Sequence, residues 1–386
     1  MIEVQEALDL IDRFTSRSKS VKRPVNASLN GLVLAEEVFS TVNLPEFRQS
    51  SMDGYAINGV SDNYQVIGEV PAGSSDTFEI EPGEAVRIFT GARVPDSADR
   101  VVMQEHVEIS PEGITITKFP NHGVNIRAIG SQIQQGQKIL DQGVKITPAI
   151  IGMLISIGCA EVAVIDSPKA VVLVTGDELA KLGSEKKESQ VYESNGAVLQ
   201  AAVLEDYCDI LYCASVKDDY KASVIAIHKA ISEADLVLIS GGISVGDYDF
   251  IGRALNELGV VKHFHGVRQK PGKPLFFGSC NQTAIFALPG NPASTLTCYY
   301  VYVRRWLQRY HGIQPIIKKM TLAAEIHNRF GRALFVKAKI HEGCAVPIDE
   351  FNSATLLSFS KSELLIYMRA DVKVLNEGEL VETFEI

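Results

Sequence analysis

The chain has 386 residues, 46% of them hydrophobic and 22% charged, with a formal net charge of −10. One hydrophobic core rarely serves such a length, so about two to four domains are expected. The acidic balance argues against non-specific binding to nucleic acid or to anionic membranes. The N-terminus, MIEVQEALDL, lacks the basic start and apolar core of a signal peptide. Six cysteines (Cys159, Cys208, Cys213, Cys280, Cys298, Cys344) form no C-x-x-C pair and read as reduced core residues of a cytosolic protein.

In chain order, residues 3–14 have helical spacing, and VNASLNGLVLAEEV follows as a turn between apolar residues. From about 44 to 137 short strands lie between glycines and prolines: YAI, NYQVIGEV, AVRIF, RVVMQEHVEI and GITITKF. ITPAIIGMLISIGCAEVAVI carries Pro148, Gly152, Gly158 and Glu161, and reads as a buried helix over 149–157 followed by a strand, not as a membrane span. From Lys169 strand and helix alternate. KAVVLVT, DILYCASV, DLVLIS, KHFHGV, PLFFGS and TAIFAL are strands. SNGAVLQAAVLEDY, YKASVIAIHKAISEA, DYDFIGRALNEL and a long helix from Asn291 to Gly312 lie among and after them. Apolar strands alternating with amphipathic helices predict a parallel, doubly wound sheet covered on both faces. After 313 the chain is β again: MTLAAEI, ALFVKAKI, ELLIYMRADVKVL and ELVETFEI. The textures divide the chain into a discontinuous helical or mixed domain (1–43 and 138–167), an inserted β-domain (44–137), an α/β domain (168–312) and a C-terminal β domain (313–386).

Ligands of doubly wound sheets bind beyond the carboxyl ends of the strands. Three such ends carry unusual loops here: VLVTGDE (Thr175, Gly176, Asp177, Glu178), SGGISVGDYD (240–249) and ALPGNPAST, where Asn291 and Pro292 open a helix. A fourth loop, RQKPGKP, bears Arg268, Lys270 and Lys273. Each alone is commonly an ordinary turn or cap, and none matches the standard mononucleotide or dinucleotide loops. Their convergence on one sheet edge favours a site. Asp247 and Asp249 would repel a phosphate held by the preceding glycines unless a divalent cation lay between. Mg²⁺ takes one or two carboxylates together with phosphate oxygens and water. Asp177, Glu178, Asp218, Asp247 and Asp249 are the candidate carboxylates, and Lys270 and Lys273 would balance the remaining charge. The implied chemistry is metal-assisted transfer or cleavage at a phosphate ester or anhydride. His263 and His265 lack a third ligand, and Tyr299, Tyr300 and Tyr302 fit a packed helix face.

SMDGYAI, IFTGARVPDSADRVVMQEHV, VLVTGDEL, LISGGISVGDYDF, KPGKPLFF and ALPGNPAST, in this order, closely resemble the molybdopterin molybdenumtransferase family, which includes bacterial MoeA and the gephyrin E domain. The resemblance implies a multidomain α+β and α/β protein. Its doubly wound domain would be of the molybdopterin-binding type, with an inserted β-domain, a mixed helical domain and a β-barrel-like C-terminal domain. It implies insertion of molybdate into adenylylated molybdopterin with Mg²⁺ and release of AMP. The same resemblance implies a cytoplasmic homodimer whose site lies between the α/β domain of one subunit and the β-domain of the other. A molybdopterin adenylyltransferase and recipient molybdoenzymes are the implied partners.

Carried over by motif, the functional residues are Asp53, Thr90, Glu178, Asp218, Asp249 and Lys270. Asp249, Asp218, Asp247 and Glu178 are the implied metal ligands. Thr175, Gly176, Asp177, Ser240, Gly241, Gly242, Ser244, Gly246, Lys273, Pro289, Gly290, Asn291 and Pro292 would hold the pterin adenylate. Molybdate is expected at Lys270, Lys273, Arg268 and serines such as Ser358 and Ser360. Two positions depart from the pattern: Gln132 where some members have an acid, and Gly266 where some have a lysine. The other activities considered are molybdopterin adenylyltransferase, which needs only the α/β segment, and a non-catalytic scaffold, against which Asp53, Asp218 and Asp249 speak.

Overall fold

The computed structural model describes residues 1–15, 18–243, 250–348 and 356–386. The chain forms two compact units, Lys22–Val164 and Met1–Val21 with Ile165–Ile386. Helix α1 (Val4–Arg13) opens the larger unit and buries Val4, Ala7, Leu8 and Ile11 on one stripe. Asp12, near its end, accepts hydrogen bonds from Arg305 and Arg309 and ties the helix to the α/β core.

In the smaller unit, strands β1 (Gly54–Ile57), β2 (Gln65–Val70), β3 (Glu84–Ile88) and β4 (Arg100–Met103) form one sheet in the order β2-β3-β1-β4. RVVMQEHVEI is not one strand: a 3₁₀ turn at Gln104–His106 ends β4, and Val107–Ser110 pairs instead with Gly113–Ile116. Helix α2 (Pro148–Ser156) starts as expected from its Thr147 cap and Pro148. The expectation that it is buried is corrected. Only Leu154 is buried, and Ile155 is 58% exposed.

The larger unit is built on β5 (Lys169–Thr175), α3 (Asn195–Glu205), β6 (Asp209–Val216), α4 (Tyr220–Glu233), β7 (Leu236–Ser240), α5 (Phe250–Glu257), β8 (Val261–His265), β9 (Phe276–Cys280) and β10 (Thr283–Leu288). The strand order is β6-β5-β7-β10-β9-β8. β6, β5, β7 and β10 run parallel, and β7 and β10 are buried throughout, as their unbroken apolar runs require. Val171, Leu173, Val237, Ile239, Ile285 and Ala287 share one face with Ile227 and Ala230 of α4 and Ile251 and Leu255 of α5. Val174, of the opposite parity, meets α3: a Cβ on Gly196 would lie 3.2 Å from Val174 Cγ2. Each fully buried valine, leucine or isoleucine among them contributes about 1.5–3 kcal/mol.

The expected all-parallel sheet is corrected at one edge, where β9 runs antiparallel to both β10 and β8. Two residues, Asn281 and Gln282, connect β9 to β10, and Asn281 has φ +53°. A two-residue connection closes a hairpin and cannot make a parallel crossover. The long helix is α6 (Pro292–Cys298), a π-helical turn at Tyr299–Val303, and α7 (Arg304–Tyr310). Tyr299 and Tyr302 are fully buried, as a packed face demands.

The chain closes with β11 (Lys318–Leu322), β12 (Ala333–His341), β13 (Cys344–Pro347), the short helix α8 (Leu356–Phe359), β14 (Leu364–Met368) and β15 (Leu380–Glu385). The pairing runs β12-β13-β11-β15-β14 and returns from β14 to β12, a closed five-stranded barrel. Leu334, Val336, Ala345, Ile366 and Val381 belong to its core. ELLIYMRADVKVL gives β14 and then only a two-residue strand at Val374–Leu375. All six cysteines are free. No helix among the described residues is long and apolar enough to cross a membrane.

Candidate functional site

The carboxyl ends of the four parallel strands open on one cavity of about 420 Å³. β5 delivers Thr175 and Gly176, β6 leads to Asp218, β7 to Ser240, Gly241 and Gly242, and β10 to Pro289, Gly290 and Asn291. Glu178 and Asn195 complete the polar wall. Local chemistry fixes each loop. Gly241 sits at φ +91°, where a Cβ would lie 2.4 Å from the Thr175 carbonyl oxygen, so no other residue fits. Gly242 is similarly confined, 2.8 Å from Thr175 Oγ1. Asn291 caps α6: its Oδ1 accepts from the Ser294 N–H at 3.1 Å, and Pro292 takes the first helical position. The Pro289 carbonyl accepts from Thr295 Oγ1. Two buried polar atoms on this wall, Thr175 Oγ1 and Asn195 Oδ1, have no hydrogen-bond partner among the described residues.

The acids divide. Asp218 and Glu178 line the cavity, whereas Asp177 Oδ1 accepts from the Asp218 N–H at 3.4 Å. Glu178 folds back beside Gly176, where a Cβ would meet Glu178 Oε2 at 2.8 Å. Ser244, Gly246, Asp247 and Asp249 lie outside the described residues. Among the described residues, no three His, Cys, Asp or Glu side chains gather as a metal cluster.

Among the described residues lining the cavity there is no lysine or arginine. Lys270 lies over the Phe330 ring, 3.5 Å from its centroid. Burial, and secondarily the nearby Arg332 charge, pull its ammonium below the usual lysine range. Lys273 is exposed. Arg268 donates to Glu3 Oε1 at 3.2 Å and to the Gly331 carbonyl at 2.7 Å. Ser358 Oγ accepts from the buried Lys337, and Ser360 Oγ donates to the Leu357 carbonyl at 2.9 Å.

In the smaller unit the structure brings Asp53 and Thr90 together. Asp53 Oδ1 accepts from the Thr90 N–H at 2.7 Å and from Thr90 Oγ1 at 2.8 Å. These bonds, the backbone one foremost, hold the exposed carboxyl below the usual carboxylate range, with a smaller contribution from Arg87. Gly54 follows because a Cβ there would lie 1.8 Å from the Val102 carbonyl oxygen. Arg87 lies over the rings of Tyr55 (4.9 Å) and Phe89 (5.2 Å) and donates to Gln104 Oε1 at 2.7 Å. Gln132 donates its N–H to the Leu44 carbonyl, and Gly266 sits at φ +84°.

Sequence reasoning missed Asn195 and Arg87. Asn195 lies at the start of the helical stretch SNGAVLQAAVLEDY, and only tertiary contacts bring it to the cavity. Arg87 had a signal in the alternation of AVRIF, where it shares strand parity with Phe89.

A doubly wound sheet with anion-suited loops at one edge, a closed barrel and a second β unit define a multidomain α/β and β protein with a ligand cavity at the strand ends. The MoeA N-terminal region (domains I and II) matches residues 2–158, the probable molybdopterin binding domain 171–309 and the MoeA C-terminal region (domain IV) 319–385. A Nostoc molybdopterin molybdenumtransferase is 33% identical over 328 residues, covering 81% of this chain and 75% of that protein. The Staphylococcus epidermidis protein of the same name is 30% identical over 397 residues, covering 99% and 94%. The solved molybdopterin biosynthesis MoeA protein of Pyrococcus horikoshii OT3 superposes with a TM-score of 0.83 at 28% identity, covering 100% of both chains. The chain belongs to the molybdopterin molybdenumtransferase family, transferases of molybdenum-cofactor biosynthesis.

Proposed function

We propose that this protein inserts molybdate into adenylylated molybdopterin and releases AMP in an Mg²⁺-dependent reaction, with the α/β cavity as the adenylate site. The observation that carries the reading is the convergence of Thr175–Gly176, Ser240–Gly242, Pro289–Asn291 and the acids Asp218 and Glu178 on that one cavity. Glycines that keep the backbone bare, and the positive end of α6, suit phosphate oxygens. The Thr175 hydroxyl, 4% exposed and without a hydrogen-bond partner among the described residues, is a further polar group on the cavity wall suited to a ligand.

Asp218 and Glu178 are hard oxygen donors, with no Cys or His among the described residues lining the cavity. That donor set fits Mg²⁺, and Asp247 and Asp249, outside the described residues, are the remaining candidates. When bound, Mg²⁺ supplies charge neutralisation and polarisation of the phosphate anhydride. Around it, the glycine loops hold the anhydride in place, and the apolar Leu179, Ile243 and Pro274 restrict water. Asp53, kept ionised and oriented by Thr90, is a further acid of the proposed reaction, contributed by the β-domain of a second copy. Molybdate is a substrate, held in this reading by Lys270, Lys273 and Arg268 with the serines Ser358 and Ser360.

A homodimer in the cytoplasm completes the proposal. The apolar helix α2, with Ile155 58% exposed, offers surface for a second copy. The function is tested by incubating the purified protein with adenylylated molybdopterin. AMP release that needs both molybdate and Mg²⁺ supports it. AMP release indifferent to molybdate, or unaffected by chelation, refutes it.

A further inference from the structure

Asn195, at the start of α3, is 7% exposed and lies against the same cavity. Its Nδ2 donates to Ser240 Oγ and to the Gly290 carbonyl, each at 2.8 Å. The two acceptors belong to the loops after β7 and β10, so one side-chain amide ties together two walls of the cavity. Meanwhile Asn195 Oδ1 is buried with no hydrogen-bond partner among the described residues. An unpartnered buried acceptor destabilises a fold, so stability alone does not account for asparagine here.

The consequence follows from peptide planarity. A trans peptide directs its C=O and N–H to opposite sides, so fixing the Gly290 carbonyl also fixes the Asn291 N–H. Neither that N–H nor the Gly290 N–H has a hydrogen-bond acceptor among the described residues. A Cβ on Gly290 would meet nothing nearer than Gly241 Cα at 3.8 Å, so the backbone is open on that side.

We propose that Asn195 is a positioning residue of the anion-binding loop. By holding the Gly290 carbonyl and the Ser240 hydroxyl, it presents the Asn291 N–H to an anionic oxygen of the ligand, beside the Gly290 N–H, whose peptide Thr295 Oγ1 holds at the Pro289 carbonyl. The inference rests on the reading that the pterin adenylate occupies this cavity, and it names the side chain that shapes the loop for it.

The test is calorimetric titration of adenylylated molybdopterin into the wild type, Asn195→Ala and Asn195→Asp, with the melting temperature of each. Asn195→Ala weakens binding about tenfold or more, as loss of preorganised charge-assisted hydrogen bonds does. Asn195→Asp weakens it further, because a carboxylate facing the Gly290 carbonyl turns that peptide away. A purely structural residue would instead lower the melting temperature and leave the affinity of the folded protein unchanged. Asn195→Ala binding as tightly as a tight-binding wild type overturns the inference alone. A wild type that does not bind the adenylate overturns the functional reading itself. Should Asn195→Ala not fold, the near-isosteric Asn195→Asp decides: weakened binding by the folded variant supports the inference, and wild-type affinity overturns it.

Discussion

Replacing Gly241 with alanine puts a methyl group where the Thr175 carbonyl oxygen already stands, 2.4 Å from an ideal Cβ. The left-handed backbone at φ +91° alone costs a residue with a Cβ about 1–2 kcal/mol. The clash adds about 1–3 kcal/mol, the usual range for overpacking. Thr175 cannot retreat freely, because it ends β5 in register with Val216, and its neighbour Val174 pairs with Ser240. The total is about 2–5 kcal/mol, a fall in melting temperature of roughly 5–15 °C for a unit of this size. Scanning calorimetry reads it. Gly183→Ala is the control, since Gly183 has φ +83° but nothing within 4 Å of its Cβ position, leaving only the backbone cost. Gly241→Ala should melt well below that control, and its affinity for adenylylated molybdopterin should fall as the loop shifts. Equal melting of the two variants would refute the packing of the loop against Thr175.

Further expectations follow from other parts of the molecule. Asp218→Asn should lower the rate of Mg²⁺-dependent AMP release by about 100-fold or more while leaving the melting temperature nearly unchanged, as loss of a metal-holding carboxylate does. Asp249→Ala should likewise abolish turnover with the fold intact, read by AMP release beside circular dichroism. Thr90→Val removes one of the two bonds that depress the Asp53 carboxyl, so a carboxyl NMR titration should show its pKa rising toward the ordinary value. The sign is that of a depressed acid: its contribution to stability is present above the unfolded carboxyl pKa and is lost as pH falls through the lower folded one. Asp12→Ala should cost about 1–3 kcal/mol in urea unfolding, because Arg305 and Arg309, 13% and 27% exposed, lose their shared partner. Burial alone would raise the Asp12 carboxyl, but hydrogen bonds from Arg309 and Arg305 outweigh it and hold the group low. That stabilisation should therefore fade in acid, below the ordinary carboxylate range.

What the sequence disclosed followed from period and length. The apolar runs LVLIS and TAIFAL could only be buried strands, and they are the fully buried β7 and β10. Strand direction was harder to read. PLFFGS has the same apolar texture as its parallel neighbours, and the reversal lay in the two residues between Cys280 and Thr283. The barrel was legible as a series of short strands, whereas its closure through β14 and β12 is a tertiary fact. ITPAIIGMLISIG reads as a core helix because hydropathy reports what a side chain avoids, not whether a neighbour is there to cover it. At the site, the glycine loops announced themselves through residues that only unusual backbones require. Asn195 did not, since its meaning depends on Ser240 and Gly290, 45 and 95 residues away. Nor did the sequence show that Lys270 lies over Phe330, a contact formed only when the loop meets the barrel.

The central claim is that the strand-end cavity of the α/β unit receives the anionic part of an adenylylated pterin with Mg²⁺ at its acids. A crystal structure of the wild type with adenylylated molybdopterin and Mg²⁺ tests it most directly. The account predicts phosphate oxygens against Gly241, Gly242, Gly290 and Asn291, with the cation on Asp218 or Glu178. Phosphates bound away from those loops, or a cation with no carboxylate from this cavity, would contradict it.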